Sequence, residues 1–589
     1  MSELTSISHP GKWGNLLYQT CLVLTGYVVV MAFIGTYLQY DPVPPYDTWD
    51  IKLQFLIDII EGRHGAWLKY NFEHFYLIPR LFFLIDYKLF SCNNVFMVSS
   101  SVTLLVISAF FFLRILKDIV PAQSTTFDVR MIGMLMMAML FSWDQCDNLR
   151  SGMLIQYYPT QLLMLGAFYF LHRDVQTSDT QWQSFWVSII MAVGSICSMA
   201  NGLLTLPIMC VYALIMRMSK ARIISLFVVT VITFLLYGYG YENPIKNADP
   251  IGFFFSHPLE AYHFVMLFLG HPFHFIFGEN AYSSLIAFLM GQLLFAVAIH
   301  RGYRCLKDRK NRSLQLAMVC LILATAGTAA MSAGGRLYNS VMYSLVARYA
   351  VPAIYGWVAL MILLSPSWIK WIRQHRTGAL TICLVLLLTV IPMQSKAWFP
   401  NLNKQFGTSI AGLTLTLQVH DPLPLRTIYF RDKEEYPPSR VLGIAKKSME
   451  HELSIFSRDP YKTVIAEWGQ QIEPVGESGT LQGQLNRIQI IPEDDRFLRI
   501  TGWIADPANQ QIPKLVNFLD QENRVVGVAL TGKAQPQLKE HLGWLADKAG
   551  YMGYLRADQQ GKMLTIQTSQ MRSPTAIQIP ILTPGSENQ

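Results

Sequence analysis

Carboxylates and a histidine are grouped in one polar stretch, residues 40–94, of an otherwise apolar chain. Asp47 and Asp50 follow a Pro-rich turn, and Glu73 and His74 lie within HGAWLKYNFEHFYLIPRLFFLIDYKLF. A carboxylate beside apolar surface has a raised pKa, which suits a general base that removes a proton from a hydroxyl group. We therefore take these four residues as catalytic candidates. The structural alternative is that Asp47 caps a surface helix and that Glu73 pairs with a nearby cation.

Arginines that suit phosphate binding lie elsewhere in the chain. The segment GGRLYNSVMYSLVARY contains Arg336 and Arg348, and Gly334 and Gly335 permit close backbone approach to Arg336. A guanidinium stays charged and binds phosphate with two parallel hydrogen bonds. Arg80, and Arg150 in WDQCDNLRSG, are further candidates. The alternative for each is an arginine that extends to lipid headgroups.

Aromatic residues near these polar groups are candidates for acceptor binding, namely Trp49, Trp67 and Tyr157. No metal-ligand pattern accompanies them. The spacing of His257, His263, His271 and His274 fits no metal-site template, so we interpret them as histidines at the membrane interface. No metal ligands are assigned, and a divalent metal is left open. The sequence has no Gly-rich phosphate loop of the P-loop or Rossmann kind.

The composition shows which elements must position these residues. Of 589 residues, 52% are hydrophobic and 15% charged, against about 25% charged in soluble proteins. Residues 395–589 carry 21 Lys and Arg and 20 Asp and Glu, or 41 of 195, which leaves 45 of 394 for the rest. Two solvents are implied, lipid for residues 1–395 and water for the remainder. This excludes a soluble enzyme, a disordered chain and a fibrous protein.

Apolar segments of membrane-spanning length predict a polytopic α-helical membrane protein with about eleven transmembrane helices. Their approximate bounds are 15–39, 95–113, 131–143, 159–171, 183–199, 203–217, 223–239, 281–300, 313–332, 349–366 and 378–395. Residues 40–94 form a large first outer loop. Within it, Trp49, Ile51, Phe55, Leu56 and Ile59 have the spacing of an amphipathic surface helix.

Cations in the short loops predict the orientation. Alternate connections hold sixteen of them, whereas the opposite connections hold about nine over more than twice the length. Cytoplasmic loops are enriched in Lys and Arg, so the sixteen face the cytoplasm. The net charge of +8 is thus attributed to topology and anionic lipid, with no nucleic-acid partner. The N-terminus is then cytoplasmic, and an odd number of spans puts the C-terminal region outside.

The C-terminal region divides into two parts. Residues 396–458 are a linker, with little regular structure over 396–440, followed by a helical segment at about 441–458. Residues 459–589 contain alternating runs such as RFLRITGWIAD and KLVNFLDQENRVVGVALTG, which predict a mainly-β domain with a sandwich-like antiparallel architecture. Its aromatic residues stack on a sugar or fill the core, and both interpretations stay open for Trp503, Trp544, Tyr551 and Tyr554.

Together these features resemble the bacterial polytopic glycosyltransferases of the GT-C superfamily. The resemblance covers roughly residues 15–395: one N-inside span, then a first outer loop with acidic residues and a surface helix. Short motifs are similar as well: MANGLL, GGR...ARY, and the loop pattern that runs from Trp67 through Asn71, Glu73 and His74 to Arg80, Leu81 and Asp86. Phe75 stands where the pattern has Arg, which removes a cation at that position.

The resemblance implies sugar transfer from a polyprenyl-phosphate carrier to a surface glycan, of the O-antigen or capsule kind, at the outer face of the bacterial inner membrane. Asp47 or Asp50 would be the base and Arg336 and Arg348 would bind the donor phosphate. The C-terminal domain would be periplasmic and would orient the acceptor. Two alternatives are a polymerase or ligase of lipid-linked polysaccharide and a membrane transporter. A transporter predicts charges within spans and internal repeats, and we find neither in the sequence.

Overall fold

The computed structural model describes residues 12–177, 180–241, 250–276, 280–429, 438–473, 481–568 and 576–580. These residues form two compact units. The helical unit comprises residues 12–40, 67–82 and 97–399. The β unit comprises residues 41–66, 83–96 and the described residues from 400 onward. The predicted boundary at 395 lies close to the end of the helical unit, whereas the predicted first loop, 40–94, is divided between the units.

The α-helices follow one another along most of the chain. The first twelve are α1 (Lys12–Leu38), α2 (Gln54–Ile60), α3 (Leu77–Phe90), α4 (Val95–Ile119), α5 (Thr126–Leu140), α6 (Cys146–Arg150), α7 (Tyr157–Val175), α8 (Gln183–Ile196), α9 (Thr205–Met216), α10 (Lys220–Gly238), α11 (Pro250–Ser256) and α12 (Pro258–Leu269). The others are α13 (His271–Ile276), α14 (Ala281–Lys307), α15 (Ser313–Arg336), α16 (Ala350–Gln374), α17 (Arg376–Ser395), α18 (Leu402–Thr416), α19 (Pro422–Leu425), α20 (Pro438–Glu450), α21 (Tyr461–Glu467) and α22 (Lys539–Leu542).

Within the described residues, eight helical segments are long and apolar enough to cross a membrane. They are Lys12–Leu38, Val95–Ile119, Thr126–Arg150, Lys220–Gly238, Tyr282–Lys307, Ser313–Arg336, Ala347–Gln374 and Arg376–Thr416. The chain is therefore a polytopic helical membrane protein that carries a β domain.

The predicted count of about eleven spans is not reproduced. The three expected segments that do not qualify are 159–171, 183–199 and 203–217. Helix α8 has 14 residues, about 21 Å at 1.5 Å per residue, which is short of a hydrocarbon core of about 30 Å. The helix at 203–217 is also short. Helix α7 does not qualify as a span, and it has polar residues near both ends, including Gln161 and Asp174.

Glycines let two helices of the helical unit pack with their backbones in contact. A Cβ atom at Gly270 would lie 1.7 Å from the carbonyl oxygen of Ala287, and one at Gly291 would lie 1.9 Å from that of Met266. No side chain fits at either position. Small residues serve this purpose in membrane proteins, where packing rather than the hydrophobic effect holds helices together. The contact fixes α12, which leads into α13, against α14.

The β unit contains one antiparallel sheet in the order β1-β2-β5-β4-β3-β6-β7. The strands are β1 (Gln482–Ile490), β2 (Phe497–Ala505), β3 (Leu515–Leu519), β4 (Val525–Lys533), β5 (Gly550–Arg556), β6 (Met563–Gln567) and β7 (Ala576–Pro580). The predicted mainly-β character is confirmed, but the described strands form a single sheet and not a two-layer sandwich. The edge strands β1 and β7 approach each other, so the sheet curls into a half-barrel. Its own residues fill the core, among them Ile500, Phe518, Tyr551 and Ile566.

The segment expected to be an irregular linker contains helix α18. The helix is buried from Ile410 to Thr416 and packs against β4 and β5. Thr414 Oγ1 lies 2.8 Å from Tyr554 Oη, and Asp421 accepts hydrogen bonds from Tyr554 at 2.8 Å and from Arg499 at 2.6 Å. These buried polar contacts join α18 and α19 to the sheet. Residues 430–437 of the predicted linker lie outside the described residues.

Candidate functional site

Glu73 and His74 lie on a loop of the helical unit that its own hydrogen bonds hold in place. Asn71 and His74 exchange backbone hydrogen bonds of 3.1 and 3.0 Å, and Phe72 between them has a positive φ of 55°. The guanidinium of Arg80 donates to the carbonyl oxygens of Trp67 at 2.6 Å and Lys69 at 2.5 Å. The loop is therefore pre-organised.

Arg336 and Arg348 flank one turn of chain between α15 and α16. Arg336 is the last residue of α15, and Arg348 lies in the 3₁₀ turn Ala347–Tyr349. Asn148 Nδ2 donates to the carbonyl oxygen of Arg348 at 3.2 Å, and His271 Nε2 lies 3.0 Å from that of Val346. A carbonyl oxygen only accepts, so Nε2 of His271 carries a proton. Burial lowers the pKa of His271 to about 4, which keeps it a neutral donor.

The structure brings the carboxylate of Glu73 together with these arginines. Glu73 Oε1 lies 3.9 Å from Arg336 Nη2 and 3.5 Å from His74 Nε2. Glu73 also interacts electrostatically with Arg348. The guanidinium of Arg348 lies 5.3 Å from the ring centre of Tyr343 and donates to its hydroxyl group at 2.9 Å. We call Glu73, His74, Arg336 and Arg348 the arginine–glutamate cluster.

The arginine–glutamate cluster is open to a ligand. The side chains of Glu73 and Arg336 are 40% and 31% exposed. A Cβ atom at Gly334 or Gly335 would meet nothing within 4 Å, so there is free space on the turn of α15 that precedes Arg336. Two guanidiniums against one carboxylate leave a net positive charge when His74 is neutral. An anion that enters this space is therefore favoured.

His74 presents a defined nitrogen to Glu73. The backbone N–H of Ala200 donates to His74 Nδ1 at 3.3 Å. Nδ1 must then be unprotonated in the neutral imidazole, so Nε2 carries the proton and faces the carboxylate of Glu73. This arrangement orients Glu73 and joins the loop to the 3₁₀ turn Ala200–Leu204.

The other predicted catalytic carboxylates belong to the β unit. Asp50 accepts hydrogen bonds from Arg440 Nε at 2.6 Å and from Tyr429 Oη at 3.0 Å, and its side chain is 9% exposed. Asp47 is half-buried, and its carbonyl oxygen accepts the first helical hydrogen bond from Ile51 at 2.8 Å. The structure thus assigns Asp50 an ion-pair partner and groups neither aspartate with Glu73 in one compact unit.

Trp49, Arg80 and Arg150 have structural contacts. Trp49 is fully buried and its indole N–H donates to the carbonyl oxygen of Pro44 at 2.7 Å, so no ring surface faces an acceptor. Arg80 is 1% exposed and holds the Glu73 loop. Arg150 pairs with Asp147 at 2.5 Å. Their assignments to acceptor or phosphate binding stay predictions, and none of the three has the open setting of Arg336.

The two remaining aromatic candidates belong to the helical unit. Tyr157 is buried at the start of α7 and interacts electrostatically with Arg348, Arg336 and Glu73. Trp67 is half-buried, and its carbonyl oxygen accepts from Arg80.

Three residues that support the cluster were not predicted, Asn148, His271 and Tyr237. The hydroxyl group of Tyr237 donates to the carbonyl oxygen of Glu73 at 2.6 Å. Asn148 lies in WDQCDNLRSG, beside the predicted Arg150, and His271 is one of the histidines interpreted as interfacial. Their supporting contacts join residues 75 to 200 positions apart, which no local pattern reveals.

The described residues contain no group of three or more His, Cys, Asp or Glu side chains arranged to hold a metal ion. The arginine–glutamate cluster offers one carboxylate and one imidazole. We therefore assign no step to a metal.

Comparison of the chain with protein-family models, with curated proteins and with solved structures gives no match.

The charges around Glu73 predict how stability depends on pH. Burial raises the pKa of Glu73, but the neighbouring His74, Arg336 and Arg348 outweigh this effect and hold the pKa below its ordinary value of 4.5. A carboxyl group with a lowered folded-state pKa stabilises the fold above its ordinary pKa, and this contribution is lost as the pH falls through the lowered value. The melting temperature of the wild type in detergent should exceed that of Glu73→Gln by a constant margin from about pH 7 to about pH 5.5. The margin should shrink below the ordinary pKa.

The control is Asp558→Asn, which removes an exposed carboxylate of the β unit. A Glu73→Gln margin that stays constant to the lowest pH would contradict the ion pairing of Glu73.

Proposed function

We propose that the protein is a membrane glycosyltransferase of the GT-C type, which transfers a sugar from a polyprenyl-phosphate carrier to a cell-surface glycan. The observation that carries this proposal is the arginine–glutamate cluster, in which two arginines and one carboxylate adjoin free space in the helical unit. In such a cluster the arginines can bind a phosphate while the carboxylate accepts a proton from a hydroxyl group.

Arg336 and Arg348 would bind the phosphate that leaves. When the bond between the anomeric carbon and the phosphate oxygen breaks, the bonding electron pair stays on that oxygen and the phosphate gains negative charge. Fixed guanidiniums stabilise such charge strongly because they need no reorganisation during the reaction. The rings of Tyr343 and Tyr349 and the Asn148 contact fix Arg348 in position.

Glu73 would act as the general base. The expectation of a raised pKa is wrong for Glu73, because its neighbours hold the pKa below the ordinary value. The carboxylate is therefore ionised and able to accept a proton at neutral pH, although a lowered pKa makes it a weaker base. The acceptor hydroxyl group attacks the anomeric carbon, a new carbon–oxygen bond forms, and the hydroxyl proton passes to Glu73. We assign the base to Glu73 and not to Asp47 or Asp50. The carboxylate of Asp50 already accepts hydrogen bonds from Arg440 and Tyr429. His74 would hold the carboxylate in place through Nε2–H.

Two variants separate the roles in this proposal. Glu73→Gln should lower sugar transfer about 10²- to 10⁴-fold, which is the usual contribution of a general base. The same variant should bind bare polyprenyl phosphate as tightly as the wild type or more tightly, because it removes a competing negative charge. Arg336→Gln should instead weaken binding of bare polyprenyl phosphate by about 10- to 100-fold. Lipid binding is measured in nanodiscs by native mass spectrometry, and transfer is measured as restoration of the surface glycan of a deletion strain.

The matched control is Arg556→Gln, which removes an exposed arginine of the β unit and should change neither result. An unchanged surface glycan in the deletion strain would overturn the enzymatic proposal. Glycan chains that become shorter without losing a sugar type would favour a polymerase or ligase of lipid-linked polysaccharide.

We further propose that the reaction occurs at the outer face of the bacterial inner membrane, with the N-terminus in the cytoplasm and the C-terminal β domain in the periplasm. The support is the uneven distribution of Lys and Arg between alternate loops. This placement needs an odd number of crossings. The eight long segments of the described residues are even in number, so the other apolar helices, α7, α8, α9 and α12, together must contribute an odd number.

An alkaline phosphatase fusion joined after residue 395 tests this parity. The enzyme is active only outside the cytoplasm, so an active fusion is expected. An inactive fusion, paired with an active cytoplasmic reporter at the same site, would reverse the orientation of the C-terminal domain.

A further inference from the structure

Four buried amide side chains among the described residues of the helical unit have hydrogen-bonding atoms without a partner. Both amide atoms of Gln161 lack one, as do Oε1 of Gln156 and Oδ1 of Asn201, and these three residues are 1%, 4% and 5% exposed. The fourth is Asn148, fully buried, whose Nδ2 donates to the carbonyl oxygen of Arg348 while its Oδ1 has no partner. A buried polar group without a partner loses its bonds to water and gains none in return. Such a group in a native structure calls for a bound molecule or a functional explanation.

The other two described buried amides of the same unit are bonded at both amide atoms. Gln394 is fully buried, accepts from the backbone N–H of Trp143 at 2.9 Å, and donates to the carbonyl oxygens of Val28 and Phe141. Gln145 is likewise buried and bonds at both amide atoms, to Tyr158 and Leu140. The helical unit therefore satisfies amides where they serve only the fold. Gln156, Gln161 and Asn201 differ from Gln145 and Gln394 because they have amide atoms without a partner.

The unbonded amides belong to the elements that carry the arginine–glutamate cluster. Gln156 directly precedes Tyr157, and Gln161 lies one turn further along the same face of α7. Asn201 directly follows Ala200, whose N–H donates to His74. Its own Nδ2 donates to Thr328 Oγ1 of α15 at 3.3 Å. The 3₁₀ turn that holds Asn201 packs against both α7 and α15, the helix that ends at Arg336.

We infer that Gln156, Gln161 and Asn201 line a subsite for the sugar ring of the lipid carrier, next to the arginines that hold its phosphate. The ligand class is a pyranose or furanose with several free hydroxyl groups. An amide offers a donor and an acceptor side by side, which matches neighbouring hydroxyl groups of a sugar. This inference rests on the proposed function and adds to it which residues recognise the transferred group.

Isosteric apolar variants test the inference because they keep the side-chain volume and remove the hydrogen-bonding atoms. Gln161→Met and Asn201→Leu are compared with the wild type for binding of two kinds of lipid in nanodiscs. The first is a bare short-chain polyprenyl phosphate. The second is the same lipid carrying one sugar, from a panel of glucose, galactose, mannose and arabinose. We expect the wild type to bind at least one glycosyl lipid more tightly than the bare lipid, and each variant to weaken that binding by about tenfold with unchanged binding of the bare lipid.

Thermal unfolding in detergent supplies a second, independent measurement. Gln161→Met should melt at the same or a higher temperature than the wild type, because it removes a buried group that has no partner in the free protein. Gln394→Met is the matched control and should melt at a lower temperature, because it leaves the N–H of Trp143 and two carbonyl oxygens without their partner. A stable variant that has lost sugar recognition is the signature of a binding residue.

The outcomes separate this inference from the proposed function. If the wild type binds bare and glycosyl lipids equally, or if the variants bind both as the wild type does, the amides hold only ordered water and the inference is overturned. A loss of equal size for both lipids would also overturn it. If the wild type binds neither lipid, the proposed function itself fails. A lowered melting temperature for Gln161→Met would show that the amide has a structural partner.

Discussion

A charge that is partly removed from water in a helix bundle needs an opposite charge or hydrogen-bond acceptors, and the site in the helical unit depends on how far this requirement is met. Arg336 and Arg348 lie on the same turn of chain, and within the described residues the ion-pair partner of Arg336 is Glu73. Two guanidiniums against one carboxylate leave the cluster short of negative charge. Free space beside Gly334 and Gly335 admits an anion to supply it.

Several buried polar groups of the β unit are fully bonded, as expected of groups that belong to the scaffold. Lys52 is fully buried, yet its ammonium group contacts the carboxylate of Asp86 at 2.7 Å and the side-chain oxygen of Asn94 at 2.6 Å. Asp86 in turn accepts from two backbone N–H groups. Asp421 is satisfied in the same way by Arg499 and Tyr554. These fully bonded groups hold the fold, whereas the arginine–glutamate cluster and the unbonded amides of the helical unit retain capacity for a ligand.

Local sequence patterns predicted the features that depend on neighbours in the chain. Apolar runs of sufficient length located the long helices, alternation located most strands, and the GGR and ARY motifs located Arg336 and Arg348. Features that depend on distant partners could not be predicted this way. Asp50 had the spacing of a catalytic carboxylate, but Arg440, 390 positions away, binds it. Helices α8 and α9 are too short to meet the span criterion, and α7 carries polar residues near its ends. The single curled sheet depends on strand order, which alternation does not encode.

We propose above all that Arg336 and Arg348 bind the phosphate of a polyprenyl carrier. A cryo-electron microscopy map of the protein in nanodiscs with bare polyprenyl phosphate tests this most directly. We expect phosphate density about 3 Å from both guanidiniums, at charge-assisted hydrogen-bond distance. Phosphate density at Arg80 or Arg150, with no density beside Arg336 and Arg348, would contradict it.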